Sequence, residues 1–89
     1  MNAADVLDNA ATLIERDGWC RRVLETADGR HCAVGAMSAF GRGPAREAAH
    51  RALEKRVQAT TWIWNDNQTD RRKVVRTMRR VARELRGHA

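Results

Sequence analysis

The segment from Asp70 to Ala89 constrains this chain most, because its apolar and cationic side chains separate with the period of an α-helix. At about 100° per residue, Val74, Val75, Met78, Val81, Ala82 and Leu85 fall within an arc of about 120°. Arg72, Arg76, Arg79, Arg80, Arg83 and Arg86 fall within a second arc of about 120°, nearly opposite. One face must dock on the rest of the molecule, and the other offers guanidiniums to an anion. The spacing predicts a helix from Asp70 to about Arg86, roughly 25 Å long, closed by Gly87. Thr69 is its expected cap, with Asp70 in the first turn.

The same segment carries the whole net charge of +6. Met1 to Thr69 hold nine Arg or Lys against nine Asp or Glu, whereas Asp70 to Ala89 hold eight basic residues against Asp70 and Glu84. A partner of this end would be anionic.

Eighty-nine residues make one small helical domain, spanning 1–89 without a linker. Abundant alanine and a single proline favour short, closely packed helices. The expected class is all-α, a small compact bundle of about four helices, with a short β-ribbon or a loop at residues 20–31. No apolar run is long enough for a membrane span, and the N-terminus lacks a signal-peptide pattern, so the expectation is a cytoplasmic protein. There Cys20 and Cys32 stay reduced, and two buried core thiols are the simplest reading. Cys20, His31, Cys32 and His50 match no zinc spacing, so neither a metal nor a cofactor is expected.

Five further segments have local signals. Val6, Leu7, Ala10, Leu13 and Ile14 predict a helix over Ala3–Asp17, with Asn2 as cap, Gly18 as stop and Trp19 folded back on it. Asp28-Gly29 marks a turn, and a loop is favoured over a ribbon around it. The small apolar residues from Cys32 to Phe40 favour a buried helix, in which Gly35 would let another backbone approach closely. After a break at Gly41-Arg42-Gly43-Pro44, a helix over Pro44–Gln58 places Ala45, Ala48, Ala49, Ala52, Leu53 and Val57 inside. Arg46, Glu47, His50, Arg51, Glu54 and Lys55 then face water. Between Ala59 and Gln68, Trp62 and Trp64 are expected against the core and Asn65-Asp66-Asn67 in a turn.

These landmarks together carry a resemblance. A helix closed by Gly18-Trp19, then Cys32-x-x-Gly35-Ala36-Met37, then Trp64-Asn65-Asp66, then a capped helix with Val74 and Val75, resembles a family of short actinomycete and phage proteins known as a domain of unknown function. The resemblance implies a compact helical domain from a high-GC, phage or bacterial, genome and brings no catalytic residue. High-GC coding also enriches arginine, which outnumbers lysine fifteen to two here.

Two functions compete. Like charges at i,i+3 and i,i+4 repel by a few tenths of a kcal/mol per pair, and only Glu84 lies near in sequence to relieve them. A nucleic-acid backbone would turn that repulsion into attraction. Contact with about four to six phosphates would give a log–log salt slope of roughly −4 to −5. A face of arginine alone does not read bases, so binding would be non-specific. The alternative is a protein–protein adaptor that docks an acidic surface, with Trp62 and Trp64 as possible contacts. The C-terminal helix could also pair two copies of the chain as a homodimer. An enzyme is the weakest reading. Asp66 has no histidine near it in sequence, and the side chain of His31 should diverge from that of Cys32.

Overall fold

The first helix starts at a reciprocal cap. The Asn2 side chain accepts from the Asp5 N–H at 2.9 Å, and the Asp5 carboxylate accepts from the Asn2 N–H at 3.2 Å. In the computed structural model, which describes residues 1–40 and 42–87, five helices follow one another. They are α1 (Ala3–Asp17), α2 (Ala33–Ser38), α3 (Pro44–Val57), α4 (Thr61–Asp66) and α5 (Arg71–Leu85). No sheet forms among the described residues.

Helix α1 is the centre of the bundle. It packs most broadly on α5 and also on α2 and α3, which is why Ala4 and Ala11 are buried beside the predicted Val6, Leu7, Ala10, Leu13 and Ile14. Leu7, Ile14, Met37, Leu53 and Met78 are the largest apolar side chains wholly inside. Burying each stabilises the fold by about 1.5–3 kcal/mol before conformational entropy is set against it. Alanines at Ala10, Ala11, Ala33, Ala36, Ala49 and Ala82 let the helices approach closely enough for this small core to close.

The expected bundle of about four helices is close to the five observed, and three local expectations are corrected. Thr61–Asp66 is a helix and not an apolar stretch followed by a turn. Its start is capped from α3: the Glu54 carboxylate accepts from the Thr61 N–H at 2.8 Å and from its hydroxyl at 3.1 Å. Glu54 and His50 therefore do not simply face water. His50 is partly buried, with Nδ1 2.9 Å from the Thr61 hydroxyl, and burial pushes its pKa below the ordinary value. Finally, Asp70, not Thr69, caps α5, accepting from the Arg72 N–H at 2.9 Å.

Other expectations hold. Residues 20–31 form a loop with isolated bridges from His31 to Trp19 and Glu25, turning where the Gly29 N–H meets the Thr26 carbonyl at 3.0 Å. Helix α3 begins at Pro44 as expected; Gly41 of the preceding break lies outside the described residues, as do His88 and Ala89. Gly87 has φ +84° just beyond α5, where the helix was expected to stop.

Candidate anion-binding surface

Helix α5 lies antiparallel to α1. Its apolar face goes inside: Val74, Val75, Met78, Val81 and Ala82 are buried within the chain, while Leu85, also expected there, is exposed at the helix end. A second copy pairing through α5 would therefore meet a different face of the helix.

The six arginines, equivalent in projection, have different surroundings. Arg79 and Arg86 lie on the flank next to α1. The Arg79 guanidinium meets the carboxylates of Asp8 and Glu15 and donates to the Thr12 hydroxyl at 3.1 Å. Arg86 donates to Asp5 at 2.9 Å and to Asp8. Asp5 is held below the usual carboxylate range, first by the Asn2 N–H and then by Arg86. On the opposite flank Arg80 is 3.8 Å from Glu84, which Arg56 of α3 also approaches, at 3.2 Å. Arg72, Arg76 and Arg83, along the crest, have no carboxylate within ion-pair distance among the described residues.

Reading charge from sequence neighbours alone missed this. Asp5, Asp8, Thr12 and Glu15 recur at spacings of three, four and three, a polar stripe beside the apolar face of α1. Laid antiparallel, that stripe falls against Arg86 and Arg79. The signal was present in the sequence, but its use depends on α1 being the neighbour of α5.

Two hollows flank the crest. One of about 430 Å³ is lined by Lys73, Arg76, Thr77, Arg79, Arg80 and Arg83. Another of about 320 Å³ is lined by Glu15, Arg71, Arg72, Val75 and Arg76. Arg76 stands between them. The surface thus adds Arg71 and Lys73 to the expected set, while two of the original six are committed to α1. Guanidiniums beside shallow, solvent-filled hollows can each give phosphate two parallel hydrogen bonds.

The landmark residues build a different structure. Asn65, completely buried, accepts from the Trp19 indole N–H at 2.8 Å and from the Ala33 N–H at 2.9 Å, and donates to the Cys20 carbonyl at 3.2 Å. It joins the end of α1, the start of α2 and α4 through one side chain. Residues 1–84 match a family of unknown function, DUF6197. The chain belongs to this family. No curated protein and no solved structure matches it. The family match takes in Asn65 with all of its partners, and also Arg79 with Asp8 and Glu15, whereas Arg86 lies beyond it.

The groups weighed for catalysis are occupied by structural bonds. Asp66 accepts from the Arg22 N–H at 2.8 Å and from the Asn65 amide at 3.3 Å. Cys32 caps α2, its sulfur accepting from the Gly35 N–H at 3.3 Å, and burial pushes the thiols of Cys32 and Cys20 up, away from the reactive thiolate. His31 is bracketed, with Nε2 3.1 Å from Asp17 and Nδ1 3.2 Å from Glu25. Its two nitrogens bind on opposite sides of the ring, so neither is left to serve Cys32 as a base. The two tryptophans separate: Trp64 is 7% exposed and in the core, whereas Trp62 is 60% exposed. Residues two apart on a helix point to nearly opposite sides, which the non-helical reading of this segment did not anticipate.

Among the described residues, no helix is long and apolar enough to cross a membrane.

Proposed function

We propose that this chain is a non-enzymatic, cytoplasmic protein, phage-encoded or from a high-GC bacterium, that binds nucleic-acid backbone without sequence preference through the crest of α5. The observation that supports this reading is the row Arg72, Arg76 and Arg83, exposed on an ordered helix and lacking carboxylate partners among the described residues while their neighbours Arg79 and Arg86 are paired. Lys73, Arg80 and Arg71 extend the row on either side. With Arg79 and Arg86 committed to α1 and Arg71 and Lys73 added, about four to six phosphate contacts remain available, so the expected salt slope is about −4 to −5.

Fluorescence anisotropy of labelled duplex and single-stranded oligonucleotides, titrated across salt, tests the proposal. Binding that weakens along that slope, and that loses about three units of it when Arg72, Arg76 and Arg83 become alanine, is the expected result. No complex at low salt, or an unchanged slope in the triple variant, overturns it.

A further inference from the structure

A second surface lies away from the crest of α5. Val23 and Leu24 are 51% and 57% exposed, and with Trp62 they line a hollow of about 260 Å³ whose other walls are Arg22, Cys32 and Asp66. Three large apolar side chains held half in water around one hollow are unusual for a domain of this size.

The backbone beneath them is fixed. The Leu24 carbonyl accepts from the Cys32 N–H at 3.1 Å, and a β-carbon at Gly35 would collide with that same oxygen. Arg22 adopts φ +70°, a conformation costly for a non-glycine residue, and its N–H is held by Asp66 at 2.8 Å. The loop is therefore tied at both ends of the Arg22–Leu24 run with its apolar side chains directed outward. Such a surface costs little further entropy when it binds.

The rim is cationic. Arg22 also lines the adjoining hollow of about 410 Å³, together with Arg21, Arg30, Trp19, Cys20 and Thr26. Arg30 is paired with Asp28, and Arg21 donates to the Gln68 carbonyl over the Trp19 ring, but the Arg22 side chain has no carboxylate partner among the described residues. Asp66, the one carboxylate in the apolar hollow, is turned to the Arg22 backbone. A second copy of this chain would set like rims against each other on molecules that each carry +6. Val23 and Leu24 offer no ring face to a nucleobase.

We propose that Val23, Leu24 and Trp62 dock an amphipathic helix of a protein partner whose apolar side chains fill the hollow and whose flanking Asp or Glu residues meet Arg22. This inference is independent of the reading of α5.

Selection of a displayed library of helical peptides against the full-length chain tests it. Enriched peptides should combine apolar residues at helical spacing with flanking carboxylates. They should bind Trp62→Ala and Leu24→Ser at least about tenfold more weakly, and Arg22→Ala with reduced salt sensitivity. All three side chains lie outside the core, and circular dichroism confirms that each variant is folded. Binding should be unchanged when Arg72, Arg76 and Arg83 are alanine. Failure of any peptide to enrich, enrichment of basic peptides, or indifference to Trp62→Ala overturns the proposal. So does Trp62-dependent self-association in sedimentation, or Trp62-dependent binding of single-stranded oligonucleotide.

Discussion

The α1-facing flank of α5 and its crest carry the same residue type at helical spacing and sit in different surroundings. Beside α1, Arg79 and Arg86 are held by Asp5, Asp8 and Glu15 and belong to the architecture. Along the crest, Arg72, Arg76 and Arg83 are exposed and have no carboxylate within ion-pair distance among the described residues. A guanidinium is structure or site according to what lies across from it, and periodicity within one helix does not reveal that.

The most disruptive way to break the contrast is Val81→Asp. Val81 is buried in the core on the apolar face of α5, and an unpaired carboxylate there should cost about 4 kcal/mol or more. Flank and crest should fail together: thermal or urea unfolding should show the loss of stability, and oligonucleotide binding should disappear with it. If binding survives unfolding of α5, the arginines act as a disordered tail and the contrast between flank and crest is empty.

Replacing Arg72, Arg76 and Arg83 with alanine should reduce oligonucleotide affinity at low salt by about two orders of magnitude or more while leaving the unfolding free energy within about half a kcal/mol of the parent. The complementary variant, Arg79→Ala with Arg86→Ala, should do the reverse. Both are surface pairs, so a small loss of stability in urea unfolding is expected, with the salt slope nearly unchanged. Equal effects of the two variants on both measurements would erase the distinction.

Acid should loosen the paired flank at Asp5 and the end of α1 at Asp17 at low pH, and a different contact at mild pH. Asp5 is held below its ordinary value of 3.8, and Asp17 is lowered to about 2, by Arg16 first and then His31. Groups whose pKa falls on folding stabilise above the unfolded value and lose that contribution as pH drops through the folded one. Their effect should appear below about pH 4. His50 is also lowered, so the folded state favours its neutral form. The resulting stability is present above the unfolded pKa of about 6.5 and is lost as pH falls below it. Urea unfolding between pH 7.5 and 5.5 should show a small decline that His50→Asn abolishes; a decline of the same size in the variant would assign it elsewhere.

Much of the fold was legible because it rests on local chemistry. Asn2, Gly18, Pro44 and Gly87 mark helix ends through backbone geometry that a residue and its near neighbours decide. Gly35 was readable as a point of close approach, and the approaching group is the Leu24 carbonyl. Helix α4 was not legible, because its cap comes from Glu54 on another helix and its Asn-Asp end is drawn in by Trp19, Ala33 and Cys20. Asparagine in a turn-like sequence satisfies its own backbone by default; here long-range donors outcompete that local bonding.

By itself, then, the sequence determined that the C-terminal segment is an amphipathic helix with its charge on one side, since period and residue type suffice for that. Only the tertiary structure decided which of those charges remain available. Pairing depends on α1 lying antiparallel to α5, which aligns Asp5, Asp8 and Glu15 with Arg86 and Arg79 and leaves Arg72, Arg76 and Arg83 facing water. Coulombic attraction acts through space, and neighbours in space are set by packing of the apolar faces, not by order along the chain.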